Sequence, residues 1–171
     1  IDAGTQEAGR TRVVPFLRHA GITSLDALVL THADEDHLGG AIPVLNALPV
    51  RRLLTNGARG DTMSAREVRR LAASRGVPEA ALAAGMTLAG GPGVRLEVLH
   101  PPAGLVPGVA PASNDNSVVV KATRGAVSFL LTGDLEEAGL PWLLRAEDAT
   151  LRAAVLKVPH HGSRLGLAGD E

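Results

Sequence analysis

Runs of apolar residues alternate along this chain between two patterns, and the alternation predicts a mixed order of helices and strands. "RTRVVPFLRHAGI" reads as a helix closed by Gly21, a residue type at ease in the left-handed conformation that ends helices. "LDALVLTH" is continuously aliphatic rather than alternating, the pattern of a strand buried in a parallel sheet. "HLGGAIPVLNAL" follows as a helix entered through Gly39 and Gly40, and "VRRLLT" as a short strand. "SAREVRRLAASRG" has helical periodicity, with Ser64 and Glu67 spaced as a capping box and Gly76 as its stop. "MTLAGGPGVRLEVLHPP" predicts a hairpin with a Gly-Pro-Gly tip. The region "AGLVPGVAPASNDN" is a loop, and "SVVVKAT" with "AVSFLLTGD" forms a second hairpin turning at Arg124-Gly125. "LEEAGLPWLLRAE" is read as a helix and "AAVLKVPHHGS" as a strand running into a polar turn. The fold class is α+β, and 171 residues suit one domain, 1–171.

Composition narrows the function classes. Apolar residues make up 45% but aromatics only 2%, so the core has to be built from Ala, Val and Leu. Seventeen basic residues against 18 acidic leave a net charge of −1, which gives no global field to draw in nucleic acid or an anionic membrane. Any anion binding must therefore be local. Cys is absent, which excludes disulfides and thiolate metal sites. No apolar run approaches a membrane span and no signal peptide is visible. The opening "IDAG" reads as a strand end and the closing "GLAGDE" completes no element, so a fragment truncated at both ends is expected.

Polar clusters recur where strands end. They are Asp2 in "IDAG", the group His32, Asp34, Asp36 and His37, Asp134 in "LLTGD", and His160-His161 in "VPHHGS". Taken singly, an Asp after a strand is ordinarily a turn or cap residue, and a His pair in a turn is ordinarily solvated. The second cluster resists that reading. Asp34, Glu35 and Asp36 repel one another in a bare turn, whereas a divalent cation turns the same carboxylates and neutral imidazoles into ligands. Spacings of 0 and 2 aim one pair at one centre, and those of 4 and 5 aim another at a second. The Gly39-Gly40 pair lets the backbone come close to whatever is bound.

"THADEDHLGG" resembles the HxHxDH signature of the metallo-β-lactamase fold, an αββα sandwich, and "LLTGD" and "IDAG" resemble two further motifs of that superfamily. Together with "NDNS" and "LKVPHHGS", in the same order along nearly the whole chain, they resemble the C-terminal hydrolase domain of the ComEC family of DNA-uptake channels. The resemblance implies that His32 and Asp34 ligate one metal and Asp36 and His37 a second. Asp134 would bridge both, and His160 or His161 would complete the second site or contact phosphate. Asp36, Asp134, His160 and His161 would carry catalysis. Asp2, Asn114 and Asn116 would support the ligands by hydrogen bonds. Ser163 and Lys157 are candidates for a substrate phosphate. The sequence departs from the superfamily twice. Asp34 stands where most members have His, which favours Mn²⁺ over Zn²⁺ or Mg²⁺ as one of two divalent ions. "SNDNS" stands where most members place another His ligand.

The implied activity is two-metal hydrolysis of DNA phosphodiesters, degrading the strand that is not imported during competence. The implied setting is an extracytoplasmic domain of an inner-membrane protein, working with DNA and the remaining channel domains and not itself spanning the membrane. Two other classes stay open: a hydrolase of another ester, of phosphocholine esterase or lactonase type, and a non-catalytic metal-stabilised module. His19 is read as helix-terminal, His100 as packed and Trp142 as core. Arg66, Arg69 and Arg70 are read as a solvated face.

Overall fold

The computed structural model describes residues 1–145 and 148–163. The chain divides into two compact units, Ile1–Ala81 and Leu82–Glu171.

In the first unit, helix α1 (Gln6–Ala8), a π-helical turn (Gly9–Val13) and helix α2 (Val14–His19) form one continuous helical stretch. It starts earlier than the sequence pattern predicts because Thr5 caps it, its side chain accepting from the Ala8 N–H. Three short strands follow, β1 (Leu28–Val29), β2 (Leu53–Thr55) and β3 (Glu79–Ala81), all parallel in the order β1-β2-β3. Between them lie α3 (Glu35–Leu38), α4 (Ala41–Ala47) and α5 (Met63–Ser74). The amphipathic α5 buries Ala65, Val68, Leu71 and Ala72 in an aliphatic core with Leu28, Leu30, Leu45 and Leu53. Its N-cap is Thr62, whose hydroxyl accepts from the Ala65 N–H at 3.1 Å. Ser64 and Glu67 therefore make no capping box, and Glu67 pairs with Arg70 instead.

Gly39 and Gly40 break the predicted single helix into α3 and α4. Their role differs from the one expected. A Cβ on Gly40 would run into the Ala3 carbonyl, and the Gly40 N–H donates to the Gly4 carbonyl at 2.7 Å. The bare glycine backbone thus admits the chain's own segment Ala3-Gly4, and that contact seats Asp2 beside the turn.

The second unit is a five-stranded sheet of β4 (Thr87–Ala89), β5 (Val94–His100), β6 (Val119–Arg124), β7 (Val127–Leu131) and β8 (Val155–Lys157), in that order. Both predicted hairpins are present as antiparallel pairs, β4·β5 and β6·β7, whereas β8 joins β7 in parallel. Helix α6 spans only Leu140–Leu143, so most of the predicted helix "LEEAGLPWLLRAE" is a turn; its final residues, 146 and 147, lie outside the described residues, as does the closing "GLAGDE". Helix α7 (Asp148–Leu151) leads back to β8. Trp142 is half-buried, with the Arg145 guanidinium 3.8 Å above its ring. The core of this unit contains Val119, Leu130, Leu135 and Leu143. Among the described residues, no helix is long and apolar enough to cross a membrane.

Candidate metal centre

Each unit carries its own cluster of ligand-type side chains at a strand end. In the first, β1 runs on through Leu30, Thr31 and His32, all nearly inaccessible, into the turn before α3. His32 and His37 are 2% and 3% exposed, so neither ring is one of the solvated histidines of an ordinary polar turn. Their centroids lie 4.3 Å apart. His32 Nδ1 sits 2.9 Å from the Thr31 hydroxyl, and His37 Nδ1 sits 2.8 Å from Asp2 Oδ2. With Nδ1 anchored in both rings, Nε2 is the nitrogen turned to an acid. His32 Nε2 is 3.8 Å from Asp34 Oδ2, and His37 Nε2 is 3.9 Å from Asp36 Oδ2.

Those two separations are too long for hydrogen bonds. They are close to the spacing of two ligands sharing one ion, about 3.4 Å for ~2.1 Å bonds at a tetrahedral angle. Asp34 sits at the N-cap position of α3, yet its side chain makes no capping bond. The turn-residue reading therefore loses its main support. The donors are imidazole nitrogen and carboxylate oxygen, the set that holds Zn²⁺ or Mn²⁺, and an anchored Nδ1 is the usual partner arrangement of a ligating histidine.

Asp2 is the hinge of this cluster. Its carboxylate accepts from the Thr31 N–H at 2.8 Å and the Thr31 hydroxyl at 2.9 Å, in addition to its contact with His37. Burial pushes its pKa up, but the hydrogen bonds from His37 and Thr31 and the charge of His37 outweigh burial and hold it below the ordinary carboxylate value. Its φ of 51° lies in the left-handed region, which Asp tolerates better than most residues.

The second cluster follows from strand polarity. Because β7 and β8 run parallel, with Leu131 beside Lys157, the residues just past each strand emerge at the same sheet end. Past β7, Thr132, Gly133 and Asp134 turn sharply, Gly133 taking φ 56°. Past β8, Pro159–Gly162 form a 3-10 turn in which His160 and His161 take φ of 45° and 53°. His161 Nε2 is 3.2 Å from Asp134 Oδ2. Lys157 Nζ donates to the Gly133 carbonyl at 2.7 Å and lies 3.3 Å from Asp134 Oδ1, so it faces the carboxylate rather than open solvent. His160 Nδ1 is 2.6 Å from Glu136 Oε1. Ser163 donates its backbone N–H to the His160 carbonyl at 2.8 Å.

"SNDNS" holds this second cluster from behind. The Asp134 N–H donates to the Ser117 hydroxyl at 3.1 Å, the Gly139 N–H to Asp115 Oδ1 at 2.8 Å, and Asn114 Nδ2 to Glu136 Oε1 at 3.0 Å. Asn116 instead stitches the preceding loop, accepting from the Val106 N–H and donating to the Ala110 and Pro111 carbonyls. His100 is packed, as expected, with Nδ1 2.9 Å from the Ser117 carbonyl, and its burial lowers its pKa. His19 is exposed at the end of α2.

Asp36 and His37 in the first unit, and Asp134 and His161 in the second, each offer a ligand atom of a type that could hold a cation. Sequence reasoning missed Thr31, Asp115, Ser117 and Glu136 as participants. Thr31 directly before His32 and Glu136 two residues after Asp134 were the available signals.

With this arrangement goes a family match. Residues 1–169 fit the metallo-beta-lactamase superfamily model, so the chain belongs to that superfamily, whose members are in general metal-dependent hydrolases. It is 37% identical over 164 residues to ComE operon protein 3 of Bacillus subtilis, covering 95% of this chain and 20% of that protein. It is 31% identical over 173 residues to competence protein ComA of Neisseria gonorrhoeae, covering 99% and 21%. It is 30% identical over 152 residues to recombination protein 2 of Haemophilus influenzae, covering 89% and 16%. The expected kinship with ComEC-type competence proteins is borne out, and the chain spans about a fifth of the length of these relatives.

Proposed function

We propose that this chain is the nuclease module of a DNA-uptake protein, hydrolysing phosphodiesters with two divalent cations and degrading the strand that is not imported. The observation that carries the reading is the pair of buried imidazoles, His32 and His37, each anchored at Nδ1 and each turning Nε2 toward an aspartate. The length of the match to three proteins named for competence or recombination supplies the nucleic-acid context.

In this reading His32 and Asp34 would hold one cation and Asp36 and His37 the other, and Asp134 with His160 or His161 are the candidate ligands that the second unit would supply. When bound, the cations supply activation of water and neutralisation of charge developing on the phosphate. Asp2 and Thr31 keep the imidazoles in the ligating tautomer. Lys157, paired with Asp134, balances the local negative charge and can contact a substrate phosphate. Asp34 in place of an imidazole makes the first site richer in oxygen, which shifts its preference toward Mn²⁺. The setting that fits is the extracytoplasmic face of the inner membrane, where channel domains deliver DNA to a module with little net charge of its own.

The discriminating assay presents single-stranded DNA, duplex DNA, a chromogenic phosphocholine ester and a lactone to the chain with Mn²⁺. Turnover of DNA alone supports the nuclease reading. Turnover of the small esters without DNA assigns a different hydrolase, and metal-dependent melting without any turnover assigns a structural module.

A further inference from the structure

Asp2 orients His37 in the first unit; the second unit repeats the device with different residues. His160 Nδ1 is buried, and Glu136 Oε1 lies 2.6 Å from it. The ring is turned off the axis of an ideal hydrogen bond, so by geometry Nδ1 has no formed bond. The electrostatics still decide the tautomer. A carboxylate 2.6 Å from Nδ1 repels a lone pair on that nitrogen and attracts an N–H even off axis, so a neutral ring carries its proton on Nδ1. Nε2 then carries the lone pair, as it does in a ligating histidine.

The carboxylate itself is held. Asn114 Nδ2 donates to the same Oε1 at 3.0 Å, and Asn114 belongs to the turn that also binds the Asp134 and Gly139 N–H groups. The backbone of His160 needs such support. Its φ of 45°, followed by 53° at His161, places two adjacent side chains in a left-handed region that non-glycine residues rarely adopt. A conformation of that kind persists only where surrounding contacts determine it. The contacts present are Glu136 on the ring, the Gly133 carbonyl on the His160 N–H at 3.4 Å, and the Thr132 hydroxyl on the Lys157 carbonyl at 2.8 Å.

We infer that Glu136 is a positioning residue for His160, holding it in the Nδ1-protonated tautomer that leaves Nε2 able to ligate a cation, and that Asn114 holds Glu136 in place. "SNDNS", which lacks the family's histidine ligand, thereby serves the metal centre indirectly. The inference rests on the metal-centre reading above but not on the substrate being DNA.

The test is long-range ¹H–¹⁵N NMR of the metal-free 171-residue chain at pH ~8, where an ordinary imidazole is neutral. The His160 ring is assigned by its loss in His160→Gln. The expected wild-type pattern is a protonated Nδ1 and a pyridine-like Nε2. Glu136→Ala should release the ring to the Nε2-protonated form or a mixture, and weaken Mn²⁺ binding by calorimetry about 10–100-fold. Glu136→Gln keeps an acceptor oxygen and should retain the tautomer and most of the affinity. A wild-type ring protonated at Nε2 overturns the inference without recourse to any variant. So does a Glu136→Ala protein with the wild-type tautomer and affinity. A chain that shows the expected pattern yet cuts no DNA contradicts the nuclease reading and leaves this assignment standing.

Discussion

Replacing Asp2 by Asn tests the metal cluster at its anchor, because it removes the charge while keeping size and backbone preference. Asn tolerates the left-handed φ of 51° as readily as Asp, so the backbone is not perturbed. The amide oxygen can take over the bond from the Thr31 N–H. The amide nitrogen then stands where Oδ2 accepted from the Thr31 hydroxyl at 2.9 Å and faced His37 Nδ1 at 2.8 Å. The hydroxyl can rotate to accept, but the imidazole cannot do so without moving its proton to Nε2, which blocks ligation. One charge-assisted bond worth about 1.5–3 kcal/mol is lost, and a buried donor is left facing a donor. A net destabilisation of about 2–3 kcal/mol corresponds to a fall of about 4–12 °C in Tm for a chain of this size. Mn²⁺ affinity should fall by about 10–100-fold, the usual effect of losing a ligand's anchoring partner. Thermal melts with and without Mn²⁺, together with calorimetric titration, measure both quantities. An Asn variant that melts within about 1 °C of wild type and binds Mn²⁺ within about twofold would refute the reasoning.

Asp34→His should raise the ratio of Zn²⁺ to Mn²⁺ affinity at least about tenfold, read by competitive titration, because it swaps a hard oxygen for an imidazole. His100→Gln should flatten the acid side of the stability profile. Burial lowers the folded pKa of His100 below its ordinary 6.5, so the unfolded chain binds more protons and stability falls as pH drops below that value toward the folded pKa. Urea unfolding at pH ~5 and ~8 should therefore show a smaller difference for the variant than for wild type. Thr62→Ala should destabilise by about 1 kcal/mol, whereas Ser64→Ala should be near neutral, since Thr62 caps α5.

Local chemistry made much of the architecture readable. The periodicity of α5, the Gly-Pro-Gly tip between β4 and β5, and the aliphatic run into β1 each signal their element through nearest neighbours. β3 escaped because its residues, Glu79, Ala80 and Ala81, are all exposed on a sheet edge and carry no apolar pattern. Its existence depends on pairing with β2, which no local signal encodes. Ser64 is in isolation at least as good a cap as Thr62, so the local sequence does not single out Thr62 as the cap of α5. For the candidate site, the residue types at positions 32, 34, 36 and 37 suggest ligation on their own, through crowded acids and imidazoles. The groups that orient them do not. Thr31, Ser117 and Glu136 matter only because folding sets them against particular ring nitrogens, carboxylates and backbone N–H groups. Gly39-Gly40 shows the same limit: glycine signals a close approach, but not that the approaching group is Ala3-Gly4 rather than a ligand.

The most direct test of the central claim follows end-labelled single-stranded and duplex DNA incubated with the chain in Mn²⁺, Mg²⁺, Zn²⁺ or chelator, beside the Asp134→Ala variant purified identically. The account predicts cleavage in Mn²⁺ that disappears with chelator and in the variant. Cleavage that survives in Asp134→Ala, or intact DNA under every metal condition, would contradict it.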